Sequence, residues 1–326
     1  MARRAWPTAI LCVAALSACG EEANVEQAAT PDPIFPIMTV PPGAQAVSFL
    51  GDVLESPQIA DAALEVYFAR YAEAEDALAA APEDVDSLIW MGRRTAYLGR
   101  YREAIDIYTH ALTMHPDEAR LYRHRAHRFI TVREPDHAIA DFERAAELTS
   151  GLPDEVEPDG LPNAQNIPTG TLQFNIFYHL GLAHYLKGDL AAALDAYRSC
   201  LGVSVHPDSV VATSYWLYMT LMRLGLEDEA RQVLADIDED MGIIESTAYL
   251  DLLLLFKGER TLEQLLGPDG SEVTLQSTTM AYGLGVYHML NGRDAEAYAT
   301  FERIRTGVNQ WAAFGFVAAE AELARR

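Results

Sequence analysis

Lysine is nearly absent: only Lys187 and Lys257 stand among the 24 basic residues, and the others are arginine. The 48 acidic residues outnumber them, for a formal net charge of −24. A chain this acidic repels a phosphate backbone, which argues against general nucleic-acid binding. Cysteine is scarce too. Cys12, Cys19 and Cys200 form no even-numbered disulfide framework. The apolar stretch from Ala5 to Ala15 is too short to span a bilayer. Strand-like alternation is rare, so the chain reads as all helical.

Motifs for chemistry are also missing. There is no His-Glu-x-x-His, no Gly-x-Ser-x-Gly elbow and no Walker loop. His124 and His127 are spaced i, i+3, and His179 and His184 i, i+5, short of the three or four convergent ligands of a zinc site. Gly283 and Gly285 lie inside a helical pattern and read as close helix contact. Carboxylate pairs abound in any acidic chain and signal nothing alone. No catalytic residue, cofactor or metal is assigned, and nothing makes a positive case for an enzyme.

What is present is a repeat. Gly92, Ala104, Tyr108, Ala111 and Pro116 mark one helical hairpin, and 34 residues on Ala138, Phe142 and Ala145 take the places of Ala104, Tyr108 and Ala111. Small residues allow two antiparallel helices to approach, and Pro116 stops the second. A single hairpin cannot bury its apolar face, so copies must stack. This pattern resembles the tetratricopeptide repeat (TPR), which has a small residue at positions 8 and 20, an aromatic at 24, alanine at 27 and proline at 32. The resemblance implies an all-α, right-handed TPR solenoid of about five to six hairpins with a C-terminal capping helix. Repeats are expected near 85–118, 119–150, 174–207, 211–242 and 278–308, within a solenoid spanning 51–326. Cys200 takes a small-residue position and should pack as a buried apolar group. The closing helix, from Asn309, ends polar at Glu320, Glu322, Arg325 and Arg326.

Residues 1–18 read as a leader. Arg3 and Arg4 precede a short apolar stretch, and Leu16-Ser17-Ala18-Cys19 resembles the lipobox of bacterial lipoproteins. That resemblance implies lipidation at Cys19, and Gly20 in place of aspartate favours the outer over the inner membrane. Losing Arg3 and Arg4 takes the formal charge from −24 to −26. Residues 19–50, rich in proline, read as a tether. The second half is similar in layout to the TPR lipoproteins of the new lipoprotein I type, which implies a possible envelope adaptor role. Residues 151–172, a proline-rich acidic insertion, depart from that layout.

In TPR arrays the first helices line a concave groove. Mapped by repeat position, the candidate groove residues are Arg93, Tyr97, Arg120, Arg123, His127, Asn175, Tyr178, Tyr185, Tyr215 and Met219. Arginines at one end would hold carboxylates of a peptide, and a Tyr and Met wall would take its apolar side chains. The lysine and asparagine set of the chaperone-binding carboxylate clamp is not present. Two alternatives stay open: these arginines pair with the chain's own acidic residues, or the insertion lies over the groove as a lid. The expected function is a lipid-anchored scaffold or adaptor in the cell envelope that binds protein or peptide partners and recruits cell-wall hydrolases or proteases. The alternative is a structural subunit of an envelope or secretion assembly.

Overall fold

The computed structural model describes residues 37–265 and 275–326. The proposed leader, Cys19, most of the tether prolines and the expected turn at Gly267-Pro268-Asp269-Gly270 lie outside the described residues. Two short strands come first, β1 (Ala44–Val47) and β2 (Val53–Glu55). Helix α1 (Asp61–Ala80) leads into α2 (Val85–Tyr97) and α3 (Tyr101–Met114), then α4 (Ala119–Thr131) and α5 (Pro135–Thr149). After the insertion come α6 (Leu172–Lys187), α7 (Leu190–Val203), α8 (Pro207–Arg223) and α9 (Glu227–Ala235). The order ends with α10 (Thr247–Lys257), short α11 (Leu262–Leu265), α12 (Leu275–Leu290), α13 (Asp294–Arg305), a 3-10 turn at Val308–Gln310 and α14 (Phe314–Ala324).

The hairpins are built as the repeat residues dictate. Gly181 lies under Tyr197, where an added Cβ would sit 2.6 Å from the ring. Gly92 under Tyr108 and Gly285 under Phe301 repeat the arrangement, so each aromatic fills the space that a missing side chain leaves. The same aromatic reaches the next repeat: Tyr108 stacks on His124 at 5.8 Å and Phe142 on His179 at 5.8 Å. Cys200 is fully buried and its thiol is pushed up to about 12 by burial, consistent with a packing role.

The turn inside each hairpin needs a left-handed residue. Gly99, Gly188, Gly225 and Gly292 supply it at φ of 75°, 84°, 73° and 69°. The second hairpin uses Arg133 at φ 65°, at a cost of about 1 kcal/mol for a residue with a Cβ. Its side chain explains the exception. Arg133 Nε and Nη2 donate to Glu320 of α14 at 3.0 and 2.9 Å, and Nη1 and Nη2 donate to the carbonyls of Thr131 and Trp311 at 2.6 Å each.

The C-terminal helix corrects half of the expected polar end: Arg325 and Arg326 are exposed, but Glu320 and Glu322 are not. Gly315 through Glu322 are buried, with Glu320 1% and Glu322 4% exposed. Glu322 pairs with Arg223 at 2.6 Å, and Arg325 donates to the Leu186 carbonyl at 2.8 Å. So α14 packs on α12 and α13 and reaches the turn ends of α4, α6 and α8. Gly315 allows this seat: a Cβ there would lie 2.6 Å from the Thr278 carbonyl of α12.

The tether boundary at residue 50 is also corrected. Strands β1 and β2 pair antiparallel, and Ala46 and Leu54 join the core. Arg102 of α3 donates to the Gln45 carbonyl at 2.7 Å, while Trp311 donates to the Glu55 carbonyl at 2.9 Å. Arg305 pairs with Asp52 at 2.8 Å. The strand pair thus bridges the third helix and the C-terminal segment.

Candidate functional site

The first helices α2, α4, α6 and α8 face inward, and the insertion runs across them on the side opposite α14. Its hold comes from a few residues. The Val156–Thr171 bridge pins its base, and the Glu157 amide donates to the Gly170 carbonyl at 3.2 Å. Glu157 then turns inward and is 9% exposed. Its Oε2 lies 2.9 Å from Arg123 Nε, in an ion pair that is not an aligned hydrogen bond, and accepts from Asn175 Nδ2 at 3.2 Å. The backbone beyond continues the contact. Arg93 donates to the Pro158 carbonyl at 2.9 Å, and Arg94 and Arg70 both donate to the Gly160 carbonyl, at 2.8 and 3.3 Å. Gly160 fits closely there: a Cβ would meet the Tyr97 hydroxyl and lie 2.8 Å from Arg93 Nη2, so the ends of those side chains would have to shift.

Two clefts adjoin Arg93 and Arg123. The larger, about 280 Å³, is lined by Arg93, Arg123, Asp159, Asn175, Tyr178 and Asp208, among others. The smaller, about 140 Å³, is lined by Arg93, Tyr97, Arg123, His124, His127 and Arg128. Arg93 and Arg123 belong to both. Asp159 Oδ2 is buried without a hydrogen-bond partner, and burial, then repulsion from Glu245, raises its carboxyl above the usual range. Asp208 is fully used, accepting from the amides of Ile244, Glu245 and Ser246 at 2.9, 2.7 and 2.7 Å.

The histidines between these clefts are neutral for a physical reason. Burial pulls His179 down to about 3, and its Nδ1 donates to the Asn175 carbonyl at 2.6 Å. His124 is pulled well below its ordinary value by burial and then by Arg123, which donates to His124 Nδ1 at 3.0 Å. His127 behaves likewise, by burial and then Arg128, and its ring packs on His179 at 4.5 Å. Among the described residues no group of three or more His, Cys, Asp or Glu side chains is arranged to hold a metal.

The ten candidate groove residues do not form one surface. Arg93, Arg123, Asn175 and Tyr178 meet in the larger cleft, and Tyr97 and His127 in the smaller. Arg120 points elsewhere and pairs with Asp86 at 2.7 Å and Glu118 at 2.9 Å. Tyr185, Tyr215 and Met219 are fully buried and present no surface to a partner. Their burial has identifiable causes: Tyr215 stacks on Tyr249 of α10 at 4.7 Å, and Tyr185 accepts from Tyr282 of α12 at 3.0 Å. Asn163 of the insertion is engaged within the chain. That side chain organises its own loop, through Gln165, Ile167 and Glu245.

Residues 174–204, the α6–α7 hairpin, match the tetratricopeptide repeat family. The fold is an all-α solenoid of TPR-type hairpins. Solved structures with some likeness include the TPR protein YrrB, at 15% identity over 72% of this chain and 91% of that one, with a TM-score of 0.40. PilF of Pseudomonas aeruginosa matches at 15% over 74% and 96%, TM-score 0.42. A TPR protein from Parabacteroides merdae matches at 14% over 77% and 92%, TM-score 0.46. These scores are too low to carry an argument about the site, which rests on the chain's own geometry.

Proposed function

We propose that this chain is a protein-binding scaffold whose concave clefts take an extended segment of a partner. The observation that carries the reading is the convergence of Arg93, Arg123, Asn175 and Tyr178 on one polar cleft, whose carboxylates are Glu157 and Asp159 of the insertion with Asp208 and Glu245. Charged hydrogen bonds from arginine suit carboxylates and peptide carbonyls. The lipobox resemblance at Leu16 to Cys19 supports attachment to a membrane through lipidated Cys19, facing the periplasm and more naturally in an outer membrane. Among the described residues no helix is long and apolar enough to cross a membrane. In that setting the scaffold would gather envelope proteins, cell-wall hydrolases or proteases among them.

A second reading rests on the insertion's outer face. Leu152, Val156, Leu161 and Ile167 are all more than 40% exposed there. A structural partner could hold that face without entering the cleft. Crosslinked capture from envelope separates the two, using the full-length chain and an Arg93→Ala/Tyr97→Ala variant. Arg123 is left intact because its loss would strand Glu157. Cleft binding predicts a set of proteins lost with the variant. An unchanged set contradicts cleft binding and favours the outer face.

A further inference from the structure

The insertion does more than cover the cleft. Its contacts are of the kind a peptide would make: one carboxylate on Arg123 and Asn175, then two backbone carbonyls on Arg93, Arg94 and Arg70. The segment is extended, with Val156 outward and Glu157 inward. It ends at a glycine whose missing side chain is what lets it reach the arginines. The fit is also incomplete. Arg123 Nε lacks an aligned acceptor, Asp159 Oδ2 has no partner, and about 280 Å³ stays open beside them.

We propose that Val156-Glu157-Pro158-Asp159-Gly160 is an intramolecular stand-in for the partner. The natural occupant is then an extended acidic segment, with a glutamate for the Arg123–Asn175 position and a glycine three residues later. This rests on the cleft reading above and specifies its ligand. A tethered segment competes at an effective concentration on the order of millimolar, so the cleft is gated: only a partner that outbids the insertion enters.

The test uses full-length protein in detergent and a fluorescein-labelled peptide of residues 154–162, read by anisotropy. Gly160→Ala in the protein crowds the ends of the Tyr97 and Arg93 side chains and weakens the seat of the insertion while every arginine is retained, and the peptide keeps its glycine. The peptide should bind the variant at least tenfold more tightly than the native protein, and the same peptide carrying Glu157→Gln should lose most of that affinity. Equal affinity for both proteins, indifference to the Glu157→Gln change, or no binding to either protein would overturn the proposal. Should Gly160→Ala fail to fold, hydrogen exchange on the native protein replaces it. Millimolar peptide should speed exchange of the Glu157 amide, and an unchanged rate overturns the stand-in. A negative peptide result beside an Arg93- and Tyr97-dependent capture removes the stand-in and leaves the scaffold.

Discussion

Two buried Arg–Glu pairs close the concave face, one at each end, and they are not alike. Arg133 and Glu320 have side chains 0% and 2% exposed and share two hydrogen bonds, with two further carbonyls on the guanidinium. Arg123 and Glu157 are 9% and 8% exposed, meet through one ion pair, and border two clefts. Removing one partner of a buried pair is costly because a lone charge stays behind. Full satisfaction of the first pair makes α14 a permanent part of the fold. The loose second pair makes the insertion a closure that can be exchanged. The positive-φ arginine belongs to the first pair, and the second is buried but less fully hydrogen-bonded.

The largest effect should come from Glu320→Ala, which strands Arg133 in the core. We expect a loss of about 3–5 kcal/mol in urea unfolding, with α14 released. Glu157→Gln should cost less, about 1–3 kcal/mol, because Asn175 can still pair with the amide and Arg123 keeps its hydrogen bond to His124. A cost equal to that of Glu320→Ala would erase the distinction between the two ends.

Acid sharpens the comparison, since His179 touches both sides: it donates to Asn175 beside the insertion and packs edge-on against Phe314 of α14 at 5.4 Å. Its folded value of about 3 lies below the ordinary 6.5. Between those values the unfolded chain binds the extra proton, so stability rises with pH and is lost as pH falls from about 6.5 toward 3. The slope from this residue approaches 1.4 kcal/mol per pH unit. Raised carboxyls such as Asp159 act in the opposite sense at the acid end, which is why the difference between native protein and His179→Phe is the quantity to measure. That difference should shrink steadily from pH 6.5 to 5, and a constant difference would contradict the buried neutral histidine. The smallest effect belongs to Arg120→Ala, whose side chain is 35% exposed, at about 1 kcal/mol or less in the same unfolding assay.

The hairpins were legible because Gly92, Tyr108 and their counterparts answer to local packing that a repeat copies. Arg133 carried a readable signal that the repeat match passes over: it stands where Gly99, Gly188 and Gly225 stand in other hairpins, so an arginine there needed a reason. Glu320 and Glu322 looked like a solvated helix end because polarity alone does not reveal partners 187 and 99 residues away. The groove positions were mapped by repeat position alone. Packing of α10 and α12 on the first helices took Tyr215 and Tyr185 inside, and no local pattern encodes that packing. The acidic insertion was visible as a possible pairing partner for the groove arginines, and its Glu157 takes that role. Gly160 passed unnoticed, since the need for a missing side chain arises only against Tyr97 and Arg93, which lie far back in the chain.

Native-state hydrogen exchange tests the central contrast most directly, by comparing the Glu157 amide, bonded to Gly170, with the Val317 amide of α14, bonded to Ala313. Different opening free energies are expected, with Val317 exchanging only through global unfolding and Glu157 through a local opening several kcal/mol cheaper. Equal opening energies at the two sites would mean that the insertion is as fixed as α14, and the exchangeable closure would be contradicted.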